Sequence, residues 1–183
     1  ILPAIPDSNS RLILESAGNT FGNSAISITD KEDDNYYQIN DDWVKSNSRG
    51  YKKWFKEQML LQLNESKRMF AETIKASVED VPDYKVKTPL QRAVQLLKRH
   101  RDSTCEDNDD KPISIIITTL SAKAYGNEDN LYNALISILD KMTNYIEYKW
   151  EDGKRIAVIE NPVDSRENFA DKWEEHPIRE KVF

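Results

Sequence analysis

The sequence predicts an α+β chain that is mostly α. Residues 1–50 are rich in Pro, Gly, Asn, Ser and Asp and carry only short apolar runs, whereas from Tyr51 onward apolar residues recur at steps of three and four. Size and composition agree: 183 residues, 38% hydrophobic and 32% charged, suffice for a sizeable core. No apolar run approaches the roughly 20 residues that a membrane-spanning helix needs.

Taken in order, Ile1–Ile5, Arg11–Leu14 and Ala25–Ile28 read as short strands among loops. The acid-rich stretch from Asp30 to Asp42 reads as a solvated loop, because its acids show no recognisable ligand spacing. One long helix is expected over about 50–78, with Trp54, Phe55, Met59, Leu60, Leu63, Met69, Phe70 and Ile74 on its apolar side, Ser48 as N-cap and Pro82 as stop. Pro89 suits the first turn of a second helix with Leu90, Ala93, Val94 and Leu97 in one stripe. After Pro112, Ile113, Ile116, Ile117, Leu120 and Ala124 share a helical face. The run SIIITT also permits a strand; Pro112 at the first helical position and the unbroken stripe favour helix. A fourth helix is expected from about Asn130 to Tyr145, then a turn at Asp152-Gly153, extended chain in RIAVIENPV, and a short helix around 166–173.

Charge and cysteine content narrow the function classes. The net charge of -6 argues against non-specific binding of duplex DNA across the surface, so any anionic ligand must be met locally. Cys105 has no second cysteine to pair with, which excludes a disulfide framework within the chain and a Cys-type zinc site, and favours a reducing, cytoplasmic setting. The opening ILPAIPD has no initiator Met and no basic leader, and is expected to be a cut from a longer chain.

Familiar enzymatic motifs are absent: no Gly-rich phosphate loop, no HExxH and no nucleophile elbow occur, and His100 and His176 lie far apart. What stands out is 85–101, with six Lys or Arg and no acid. Lys98 follows Val94 by one turn, beside the buried stripe, and can point into a groove. The competing explanation is charge–dipole matching at a helix C-terminus, with the acids at 106–110 as partners. Ser114, Thr118, Ser121 and Tyr125 form a polar stripe on the next helix, although such hydroxyls also bond back to the preceding turn. Two antiparallel helices joined by a loop would bring Lys98 near Ser114, a pairing suited to phosphate. Arg99 and Arg101 are expected to point elsewhere.

Three segments, DDWVKSNSRGYKKWF (41–55), KPISIIITTLSAKAY (111–125) and NPVDSRENFADKW (161–173), together resemble bacterial nucleotidyltransferases related to cyclic GMP–AMP synthase and oligoadenylate synthase. These are the cyclic oligonucleotide synthases of anti-phage signalling. The resemblance implies a catalytic sheet with a Gly-Ser loop and three carboxylates holding two magnesium ions, closed by a helical domain, with ATP- or GTP-type substrates. Relatives carry the third carboxylate just before a Leu-Pro-Ala segment, here Leu2-Pro3-Ala4, so the metal ligands would fall upstream of Ile1. Residues 1–49 would then be the last strands of the nucleotidyltransferase core and 50–183 the cleft-closing helical domain. Lys98 and Ser114, 16 positions apart, occupy the places of a lysine and a polar residue that reach the nucleotide in relatives. Ile115 departs from the base-stacking aromatic that several relatives carry next. The implied chain contributes nucleotide contacts, no catalytic or metal residue of its own, and is inactive alone; exposed strand edges could let it self-associate. Two other readings stand beside it: a non-catalytic helical module whose basic face binds an acidic partner, and a template-independent RNA polymerase of the same superfamily.

Overall fold

Asp7 starts the first helix. Its backbone is extended and its Oδ1 accepts the N–H of Ser10 at 2.9 Å, an N-cap that turns the run Ser8–Ser16 into helix α1. A strand had been expected over Arg11–Leu14. The cap overrides it, and the helix buries Ser10 and Leu14, one turn apart, while Leu12 and Ile13 stay exposed. The computed structural model describes residues 3–40, 42–105 and 110–182.

The chain divides into two compact units: residues up to Lys56 together with Asn161–Glu167, and Glu57–Glu160 together with the residues from Asn168 onward. In the first, β1 (Ala4–Pro6), β2 (Ile26–Ile28) and β3 (Val44–Ser46) form an antiparallel sheet in the order β1-β2-β3, with Ile5 opposite Ser27 and Ser27 opposite Lys45. Asx turns hold the acidic loop: Asp30 and Asp33 each accept the N–H two residues on. Helix α2 (Ser48–Gln58) starts under Asn47, whose Oδ1 accepts the Gly50 N–H at 3.1 Å, so the cap lies one residue before Ser48. Segment 161–167 is tied in by Asn19 Nδ2, which donates to the Val163 carbonyl, and by Arg166, which donates to Ser10 Oγ.

The second unit is built on helices. The expected single helix over 50–78 is two, α2 and α3 (Leu60–Ile74), broken at Met59 and stopped by Lys75 in the left-handed conformation. The break thus falls at an apolar residue rather than at Gly or Pro, and Met59 is buried there with its sulfur accepting the Thr88 hydroxyl. Thr88 also opens α4 (Pro89–Cys105) with a capping box: its Oγ1 accepts the Gln91 N–H, and Gln91 Oε1 accepts the Thr88 N–H. Then follow α5 (Ser114–Ala124) and α6 (Leu131–Lys141), the latter capped by Asn130. Segment 114–124 is thus helix and not strand, and Pro112 precedes the N-cap Ile113 rather than filling the first helical position. Helices α4, α5 and α6 pack pairwise around Leu90, Ala93, Val94, Ile116, Leu120, Ala134 and Ile138.

Beyond α6, β4 (Glu147–Glu151) and β5 (Lys154–Val158) form a hairpin turned by Asp152-Gly153, both with positive φ. Gly153 takes that conformation without penalty. The helix expected over 166–173 is not formed. The chain makes the short strand pair β6 (Glu160–Asn161) and β7 (Asp164–Asn168), then a single tight turn at Asp171–Trp173, and helix α7 comes later, at Ile178–Val182. Side-chain bonds accompany this: Asp164 accepts from the backbone and guanidinium of Arg166 nearby, and Asn168 reaches back to Ile159 and Ala157 and forward to Ala170, so these side chains stitch extended backbone.

Candidate functional site

The basic helix α4 runs on to Cys105, four residues past Arg101. Lys98 therefore sits about two turns from the helix end, beyond the last turn in which the C-terminal dipole acts. Residues 106–109, most of the acids named as possible partners, lie outside the described residues. The remaining one, Asp110, lies 3.4 Å from Arg179.

Lys98 is half-buried and opens with Arg92, Gln95, Leu96, Arg99 and Asp102 of α4, and Leu131 of α6, onto an open cleft of about 670 Å³. No carboxylate among the described residues lies within ion-pairing distance of its ammonium. Burial, and then the neighbouring Arg101, hold its pKa below the usual lysine range, with Asp102 opposing them weakly. Three cations against one carboxylate make this cleft attractive to an anion. Arg99, expected to point away, shares it with Lys98.

Ser114 is exposed at the first residue of α5. The residue that reaches it is Arg101, whose Nη1 donates to Ser114 Oγ at 2.9 Å and to the Pro112 carbonyl at 2.9 Å. Arg101 was expected to point elsewhere. It meets α5 because the last third of α4 lies alongside the α5 start, and the spacing of three from Lys98 was the legible signal. Lys98 is three residues back on α4, a rise of roughly 4.5 Å from Arg101, and neither Arg101 nor Ser114 is among the residues that line its cleft. The rest of the hydroxyl stripe turns inward: Thr118 donates to the Ser114 carbonyl, Ser121 is fully buried, and Tyr125 donates to the Glu128 carbonyl.

The magnesium ions implied by the resemblance find no donor set here: among the described residues no group of three His, Cys, Asp or Glu could hold a metal ion. No described helix is long and apolar enough to cross a membrane.

No family model matches the chain. A c-di-GMP synthase of Roseivirga ehrenbergii is 33% identical to it over 164 residues, covering 89% of this chain and 40% of that protein. The chain thus spans about two fifths of the length of this relative.

Proposed function

We propose that this chain is part of a nucleotidyltransferase that joins nucleoside triphosphates into a cyclic dinucleotide, and that its own share of the work is to hold substrate phosphates. Similarity to a c-di-GMP synthase over 89% of the chain supports the reaction class and makes GTP the first substrate to test. The observation that carries the site is Lys98, partly desolvated, without an ion-pair partner among the described residues and open to a cleft shared with Arg92 and Arg99. An ammonium there can follow a flexible triphosphate as a point charge, while Ser114 donates its hydroxyl from the start of α5. Charge neutralisation of a transferring phosphoryl group is the main task in such chemistry. The product would serve as a second messenger, in keeping with the anti-phage role that the resemblance implies.

The test is GTP affinity and cyclic dinucleotide formation by the full-length protein carrying this chain, with Lys98→Ala, Ser114→Ala and Arg99→Ala, each checked for an unchanged Tm. Losing one charge-assisted contact costs about 1.5–3 kcal/mol, or roughly ten- to a hundredfold in affinity. Lys98→Ala should show that loss and Arg99→Ala a smaller one. GTP binding undiminished in Lys98→Ala rules the assignment out.

A further inference from the structure

Arg101 is the most firmly anchored cation of α4. Its side chain is 13% exposed, and Nε and Nη2 both donate to Asp102 Oδ1, at 2.9 and 2.6 Å. Those two bonds fix the plane of the guanidinium and aim Nη1 across to α5, where it donates to the Pro112 carbonyl and to Ser114 Oγ. All three nitrogens are therefore engaged within the protein.

The consequence falls on Ser114. A serine hydroxyl has one proton and two lone pairs, and a guanidinium has donors only. With Arg101 occupying a lone pair, the Ser114 proton has to point away from it. Donation from a cation also polarises the O–H and makes it a better donor. The side chain is exposed, and the N-cap Ile113 offers no side-chain acceptor that would compete for the proton.

We propose that Arg101 is a positioning residue for the phosphate site: it ties the start of α5 to the last third of α4 and presents Ser114 as an outward-facing donor, without touching the nucleotide itself. This rests on the reading that Ser114 meets substrate phosphate. A lysine at 101 is no substitute, because a single ammonium lacks the rigid fork that holds Asp102, Pro112 and Ser114 together.

The experiment is a double-mutant cycle on GTP affinity in the full-length protein: Arg101→Met, Ser114→Ala and the pair, with Arg101→Lys alongside and Tm recorded for each. The cycle is repeated with Asp102→Asn, because a carboxylate released by Arg101→Met would lie in the same cleft as Lys98 and could neutralise it. Each single variant should weaken GTP binding about tenfold. The pair should be no weaker than the worse single, because Arg101 acts through Ser114. Arg101→Lys, folded and with the charge kept, should recover only part of the loss. Losses that multiply in the pair, in both backgrounds, would overturn the proposal and leave Arg101 a general stabiliser or a direct ligand. If Ser114→Ala weakens GTP binding and Arg101→Met does not, this inference alone fails. A silent Ser114→Ala removes the phosphate reading of Ser114 and this inference with it.

Discussion

Lys98 and Asp7 are charged residues with opposite effects on stability. For Lys98, burial and Arg101 lower the folded pKa, so the folded state bears a penalty for carrying the ammonium that the unfolded state does not. Stability should rise as pH climbs from the folded pKa toward the unfolded one. Lys98→Met keeps the apolar stem and should stabilise the protein at pH 7 by about 0.5 kcal/mol while weakening GTP binding, the trade-off expected of a functional cation. Urea denaturation checks it; a loss of stability would mean that the ammonium has a partner after all. For Asp7, burial pushes the carboxyl pKa upward, but hydrogen bonds from the Ser10 backbone and hydroxyl, together with the Lys45 ammonium, outweigh burial and leave the pKa lowered. That contribution is present above the unfolded value and is lost as pH falls through the folded one. Asp7→Asn should keep the α1 cap yet lose part of this acid-dependent stability, whereas Asp7→Ala should cost about 1 kcal/mol at pH 7. Denaturation at pH 7 and pH 3 separates the two.

At the scale of elements, helix starts are set by side chains more than by periodicity. A Cβ on Gly50 would stand 2.5 Å from Asn47 Oδ1, the atom that accepts the Gly50 N–H, and Asn47 Nδ2 is itself spent on the Phe21 carbonyl. Gly50→Ala, favourable by helix propensity, should therefore destabilise, by roughly 1 kcal/mol, through loss of the α2 cap. A higher melting temperature for Gly50→Ala would refute this. The same logic explains what could be read in advance. Helix α4 was legible because Pro89 suits a first turn and Leu90, Ala93, Val94 and Leu97 form one apolar stripe. Helix α1 is set by Asp7 and the three short polar residues after it, a cap that outweighs the apolar content of Arg11–Leu14. Met59, at the break, meets a hydroxyl 29 residues away, and Asn168 of β7 reaches back to Ala157 and Ile159; contacts of that range leave no local trace. Of the candidate site, Lys98 and Ser114 came from a resemblance and a spacing. The spacing of three between Lys98 and Arg101 is visible in the sequence, but it takes the extension of α4 to Cys105 to place Arg101 at Ser114.

For the molecule as a whole, the question is what these residues can do when, among the described residues, no group of three His, Cys, Asp or Glu could hold a metal ion. Among the described residues the outer edges of β1 and β3 pair with no other strand, but each strand is three residues long, so self-association through them should be weak and visible by light scattering only at high concentration. The cations of α4 are a different matter, since they can attract a triphosphate without completing its chemistry. In-line phosphoryl transfer requires the attacking and leaving oxygens to be neutralised together, and Lys98, Arg92 and Arg99 line one cleft without any group of three metal-binding side chains among the described residues. The purified 183-residue chain should therefore bind GTP weakly and release no cyclic dinucleotide or pyrophosphate in the presence of magnesium. Binding should fall as salt rises, because exposed charges are screened beyond about 8–10 Å at moderate ionic strength. Calorimetry on the chain and on its Lys98→Ala variant, with product analysis of the same samples, measures both halves. Steady product formation by the chain alone would overturn the division of labour proposed for it, and equal GTP affinity in the variant would remove Lys98 from the phosphate site.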